Sequence, residues 1–306
     1  MNRAGPDSIP ARAGENPSLA ELAQANRILA SIPPVLGHLV ANENVALFSE
    51  EVVARTRGMI ESLAIQLARA AAESAPHDPA RRLSAALMGQ TALLGHCHAL
   101  ALEAQLTERL TREAGIDAVL SPLLQERIAA PQADEAGMAM NLLASQARFV
   151  QNQRRMELAP TELPAELFAP VLAAFAQVCG AASRDPAARM RNEFDESRSR
   201  NALLARVVLA SADGIAQALD LESAGAALFA TAVSLASGRD RADVIIATTA
   251  GQQARLSLIL SICGLGARSS EAILLRLHPD APLPRHCFGL DRDAAQALLA
   301  SAEAAQ

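Results

Sequence analysis

Apolar residues recur three and four positions apart along nearly the whole chain and almost never alternate at two, which is the spacing of a helical face. The pattern predicts an all-α protein, a multi-helix bundle of about ten helices. Ser18 with Glu21 three residues on is a capping box opening a helix to about Ser31, where Pro33 and Pro34 end it. A short helix over Val35 to Val40 follows. Ser49 then caps a long helix whose face is Val52, Thr56, Met59, Leu63, Leu67 and Ala70, ending before Pro76.

Asp78 before Pro79 places a cap and a first-turn proline together, because proline has no donor to lose at that position. The helix it opens is expected to reach about Glu113, with Gly115 as its stop. Ser121 and Pro122 open a shorter helix closed by Pro131. Next comes a helix from about Asp134 to Glu157, with the stripe Met138, Leu142, Ser145, Phe149, Gln153 and Met156. Leu163 and Pro164 precede a helix ending at Gly180. Asp240 is expected to cap one continuous helix, Arg241 to Cys263, stopped by Gly264. Leu256, Leu258, Ile259, Leu260 and Ile262 make its end apolar all round, the pattern of a fully buried core helix. A proline-rich loop from Leu277 to Gly289 leads to a last helix capped by Asp291.

A repeat runs through this series. Asp185, Pro186 and Ala187 repeat Asp78, Pro79 and Ala80 at an offset of 107 residues, and Gln253, Ala254 and Arg255 repeat Gln146, Ala147 and Arg148 at the same offset. The division this suggests is a disordered tail over 1–17, an N-terminal helical region over 18–76, and related modules over 77–182 and 183–306.

Composition narrows the functional classes. The chain has 306 residues, 51% of them hydrophobic, enough to bury a core. It carries a net charge of −6, all its basic residues are Arg, and it has no Trp or Tyr. An acidic balance without stacking residues argues against a nucleic-acid partner. Leu167 to Ser183 and Ser223 to Gly238, the longest uncharged stretches, fall short of the ~20 residues of a transmembrane helix. Residues 1–17 contain no apolar run of a secretory leader, and Cys97, Cys179, Cys263 and Cys287 lie far apart. Both observations read as a cytoplasmic protein with reduced thiols.

Candidate chemistry is sparse. His96, Cys97 and His98 are metal-ligand types, but residues two apart on a helix point about 200° away from one another. One ion cannot take both histidines. With His286 and Cys287 as the other such pair and no CxxC or HExxH, neither a metal site nor a cofactor is expected. No catalytic residue is assigned either. Cys179 and Cys263 sit at helix C-termini, where the dipole disfavours a thiolate.

The run from Arg189 to Arg200 reads as a solvated helix face, with Glu196 to Arg200 and Asp195 to Arg198 at pairing distance, or as a docking surface built on Arg198 and Arg200. Gln146 with Arg148, and Gln253 with Arg255, are candidates for holding a carboxylate or a helix end. The leading functional expectation is a non-enzymatic interaction or regulatory protein with an unknown protein partner, able to form a homo-oligomer. The competing expectation is a small-molecule binder or enzyme with a polar pocket between helix layers, using His96 or His98 and Arg148 or Arg255.

Overall fold

The computed structural model describes residues 21–27, 30–32, 49–71 and 77–304, and all of its regular structure is helical; no strand occurs among the described residues. The expected tail, the capping serine at Ser18 and the short helix over Val35 to Val40 lie outside the described residues. Helical residues at 21–27 and 30–32 precede fourteen α-helices. They are α1 (Glu50–Ala71), α2 (Pro79–Met88), α3 (Thr91–Ala114), α4 (Pro122–Ile128), α5 (Ala133–Arg155), α6 (Ala165–Cys179), α7 (Arg184–Glu193), α8 (Arg200–Val208), α9 (Gly214–Ala218), α10 (Leu221–Ser237), α11 (Arg241–Ala247), α12 (Gln253–Ile262), α13 (Ala267–Leu277) and α14 (Arg292–Ala304). They form two units, residues 31–249 and residues 1–30 with 250–306.

In the larger unit α3 is the central element, packed against α1, α2, α5, α10 and α11. The face expected for α1 is buried from Val52 through Leu67, and the hydroxyl of Thr56 donates to the Val52 carbonyl at 2.8 Å, so this buried polar group is satisfied. Ser121 caps α4 as expected, its Oγ accepting from the Leu124 amide. The stripe on α5 also faces inward, with Leu142, Ser145, Phe149 and Gln153 buried. Its last member, Met156, instead takes a left-handed conformation at φ 56° and ends the helix.

Three expected helices are broken. The run from Pro79 to Glu113 turns at Gly89 and Gln90, where glycine weakens the helix and the Gln90 amide donates to the Pro170 carbonyl at 3.3 Å. The turn lets α2 pack against both α1 and α6. The run from Arg241 to Cys263 stops at Ala247. Thr248 and Thr249 turn their hydroxyls back onto the carbonyls of Ile245 and Ile246, and Gly251 takes φ 83°. The chain passes from the larger unit to the smaller at this break. The third break is in the Arg-rich run. Helix α7 ends at Glu193, Phe194 stacks on Phe168 with ring centroids 4.1 Å apart, and a 3₁₀ turn over Glu196–Arg198 leads to α8. The two expected helical charge pairs are therefore not made. Glu196 accepts from the Ala165 amide at the start of α6, and Asp195 from the Ser197 amide.

The two Asp-Pro-Ala sequences have different surroundings. Asp78 precedes α2 in a left-handed conformation at φ 50° without a side-chain cap hydrogen bond, and Pro79 is the first helical residue, whereas Asp185 and Pro186 lie inside the first turn of α7.

In the smaller unit, α12 is buried on every side from Ala254 to Ile262 and packs against α13 and α14. Its polar members turn to internal partners. Ser257 donates to the Cys287 carbonyl at 3.3 Å, and Arg255 pairs with Glu303 at 3.4 Å.

By length and composition, one helical run among the described residues, 165–193, is apolar and long enough to cross a membrane. It spans α6 and α7 with a 3₁₀ turn between them, and Leu167, Phe168, Val171, Leu172 and Phe175 are buried within the larger unit. The pair α10 and α11 passes the same test only together, and is bent by 115°.

Candidate functional site

The larger unit holds a cleft of about 770 Å³. Helix α3 contributes His96 and Leu100 to its wall, one turn apart on the same face. Helix α5 contributes Ser145, Arg148, Phe149, Asn152 and Gln153 at the same helical spacing. The connector from Glu157 to Glu166 and the segment from Glu193 to Ala202 complete it.

Arg200 links this cleft to a buried ionic cluster. One face-apart step along α3 from Leu100 lies Glu103, with no exposed surface. Its carboxylate accepts from both terminal nitrogens of Arg200 and of Arg241. Arg200 Nη1 donates to Oε2 at 3.1 Å and Nη2 to Oε1, while Arg241 donates from Nη1 to Oε2 at 2.7 Å and from Nη2 to Oε1 at 2.6 Å. Two bidentate forks on one carboxylate fill its lone-pair sites.

Each arginine is fixed a second time. Arg200 Nε donates to Gln146 Oε1 at 2.8 Å, Gln146 Nε2 donates to the Ala118 carbonyl at 3.0 Å, and the Arg200 guanidinium lies 3.8 Å above the Phe149 ring. Arg241 Nε donates to Thr231 Oγ1 at 3.0 Å, and Thr231 in turn donates to the Ala227 carbonyl at 2.8 Å.

Electrostatics follow from this geometry. Burial pushes the Glu103 carboxyl up, but Arg200 and Arg241, by charge and hydrogen bonds, carry it well below the usual carboxylate range. Glu103 is therefore charged, and one carboxylate against two guanidinium groups leaves one positive charge in excess. His96 feels it: burial first, and then the Arg241 cation, lowers its pKa to about 4 against the opposing effect of Glu103. The imidazole is neutral near pH 7, and its buried Nε2 has no hydrogen-bond partner. Gln153, 3% exposed, likewise leaves Oε1 without a partner while its Nε2 meets the Met59 sulfur at 3.2 Å.

On the connector, Asn152 Nδ2 donates to both oxygens of Glu162 at 3.3 and 3.2 Å. Burial raises the Glu162 pKa, opposed by that hydrogen bond and then by Arg148 and Arg200. Glu162 is an exposed side chain, so water moderates that rise.

The residues singled out in the sequence fall in two places. Arg148, Arg198 and Arg200 are brought together in the cleft with His96, and Gln146 stands behind Arg200. His98 is buried on another side of α3, at 4% exposure, with its pKa lowered to about 4 by burial. Gln253 and Arg255 belong to α12 in the smaller unit.

Arg241, Asn152 and Glu162 carry no signal in the sequence, and Glu103, which the sequence offers only as a neighbour that could orient His98, is engaged by Arg200 and Arg241 instead. Glu103 did carry a signal, as a single acid on an otherwise apolar face between Ala99 and Leu106. Nothing marked Arg241 as its partner 138 positions away. No group of three or more His, Cys, Asp or Glu able to hold a metal ion occurs among the described residues. No protein-family model, curated protein or solved structure matches the chain.

Proposed function

We propose that this is a cytoplasmic binding protein whose larger unit receives a small polar ligand in the cleft walled by α3, α5 and the segment before α8. The observation that carries the reading is that one concavity is lined by two residues with buried polar atoms lacking partners, His96 Nε2 and Gln153 Oε1, and by the exposed side chains of Arg148 and Arg198. Buried polar atoms cost free energy unless they are hydrogen-bonded. A cleft of about 770 Å³ also falls in the size range of small-molecule sites, roughly 300–1,000 Å³. The doubly braced Glu103, Arg200 and Arg241 cluster supports the same reading, because it holds Arg200 at the floor of the cleft with little freedom left to lose on binding.

The reading is tested by thermal-shift screening of the purified chain against a library of polar metabolites, beside the variant Asn201→Trp. Asn201 is an exposed residue of the cleft wall, so an indole there fills the cleft with little effect on folding. Stabilising compounds are expected for the natural chain and are expected to lose their effect in the variant. Compounds that stabilise both forms equally bind elsewhere and count against the cleft.

A further inference from the structure

The cleft in the larger unit is acidic. Its walls carry six carboxylates, Glu157, Glu162, Glu166, Glu193, Asp195 and Glu196, against the three guanidinium groups of Arg148, Arg198 and Arg200. Three negative charges are left in excess, and the buried Glu103 and Arg241 behind the wall, one of each sign, do not change that balance. Arg154 and Arg155, at the end of α5, lie outside the lining.

None of the six acids is paired with a cation. The Asn152 amide donates to Glu162 at 3.3 and 3.2 Å, the Ala165 amide to Glu196 at 3.1 Å, and the Ser197 amide and hydroxyl to Asp195 at 3.1 and 2.6 Å; all of these donors are neutral. Among the described residues the carboxylates of Glu157, Glu166 and Glu193 accept no hydrogen bond, and no acid of the lining lies within 4.0 Å of an arginine or histidine nitrogen. Arg200, the cation at the floor, instead turns both terminal nitrogens to Glu103, outside the lining.

The helical walls add acceptors of a second kind. Gln153 is 3% exposed and turns Nε2 to the Met59 sulfur, so Oε1, on the other arm of the amide, is left without a partner. It lies one turn beyond Phe149 on the α5 face that lines the cleft. His96, neutral near pH 7, keeps one ring nitrogen as an acceptor. Leu100, Phe149, Leu158 and Pro164 supply apolar surface to the same cleft.

Resting on the binding-protein reading above, we infer that the cleft takes an organic cation, an aliphatic di- or polyamine. Ammonium groups carry donors only, which complements carboxylates and lone amide or imidazole acceptors, and a concavity lined by one sign of charge concentrates ions of the other. The acids come from two separate stretches, 157–166 and 193–196, so a ligand with two or more charges answers both, while its methylene stem covers the apolar surface between polar groups. A metal ion is a poorer match, because no group of three or more His, Cys, Asp or Glu able to hold one occurs among the described residues.

Isothermal titration of the full chain at low ionic strength with spermidine, and with succinate as a probe of opposite charge, tests the inference. Spermidine is expected to bind saturably and succinate not to bind. Removing one carboxylate close to an ammonium group should weaken binding about fivefold, so Glu157→Gln and Glu193→Gln, one from each stretch, should each do so and their combination about 25-fold. Neither side chain holds a bond in the fold, and unchanged unfolding midpoints check that. Arg148→Gln removes a repelling charge and should tighten binding by a similar factor, which a loss of folding cannot produce. Succinate binding in place of spermidine, unchanged spermidine affinity in the double acid variant, or equal spermidine binding by Asn201→Trp overturns the inference. If spermidine does not bind but Asn201→Trp still excludes anionic or neutral metabolites, the cleft reading stands and only the cation inference falls. If neither spermidine nor any metabolite binds, both fall.

Discussion

The two units solve the problem of a buried interior in opposite ways. The smaller one is organised around α12, where Leu256, Leu258, Ile259 and Leu260 are all without exposed surface. The larger one has an apolar core of its own but places a charged carboxylate at the centre, on α3, and reaches it with arginines from α8 and α11. Apolar contacts are non-directional and tolerate exchange of shape. A carboxylate held by two guanidinium forks tolerates almost no displacement, because removing one partner strands the others without water. The lesson is that precision in this chain is concentrated beside the cleft, where the geometry of Arg200 matters, and is absent where only burial is required.

The largest expected effect tests this contrast directly. Glu103→Gln leaves two buried guanidinium groups without a counter-charge and should cost on the order of 3–5 kcal/mol in urea denaturation. Leu258→Ala should cost about 3 kcal/mol by cavity formation. Hydrogen exchange distinguishes the two. The first is expected to lower protection in α3, α8 and α11, the second in α12, α13 and α14. A Glu103→Gln chain that loosens chiefly α12 would break the comparison.

A smaller effect follows from acid. His96 and His98 both have folded-state pKa values of about 4, below the ordinary 6.5. The unfolded chain therefore takes up protons first as pH falls. The stability this linkage contributes is fully present above about pH 6.5 and is lost progressively down to about pH 4, by at most about 1.4 kcal/mol per pH unit for each histidine. Denaturation midpoints at pH 7 and pH 5 measure it, and His98→Leu should reduce the slope by about half. Glu103, whose pKa is depressed, contributes stability above the ordinary carboxylate pKa that is lost only as pH falls toward its lowered folded value. A steep loss between pH 7 and pH 5 therefore belongs to the histidines. An unchanged slope in His98→Leu would contradict this assignment.

The smallest effect concerns a close approach in the larger unit. A methyl group on Gly58 would stand 2.5 Å from the Met156 Cβ, so Gly58→Ala should cost about 1–2 kcal/mol through overpacking. Met156→Gly removes that obstacle and suits the left-handed backbone at φ 56°. The double variant should recover most of the loss, and additive costs in thermal unfolding would show that the two positions do not meet.

Much of the fold was legible because helical signals are local. The spacing along α1 and α5, the first-turn proline Pro79, the cap at Ser121 and the stops at Gly115 and Gly264 act within a turn or two. The breaks at Gly89 and after Thr248 were missed because each is completed by tertiary or side-chain bonding that competes with an intact apolar period. Arg200 was read as one member of a solvated charge face. The signal against that reading was Phe194, a large apolar residue inside the charged run, which anchors the chain on Phe168 and ends the helix.

Sequence alone determined the helical class, the apolar faces and the completely buried character of the Leu- and Ile-rich stretch of α12, since hydrophobic spacing and capping are properties of neighbouring residues. It also marked Gln146, Arg148, Arg198 and Arg200 as polar positions of interest, without a reason for them to meet. Only the tertiary structure decided that Glu103 would be shared by Arg200 and Arg241, that Gln146 would orient one of them, and that His96 rather than His98 would face the cleft. Charge pairing across 97 and 138 positions depends on where helices pack, and the side chains themselves carry no mark of the partner they will meet.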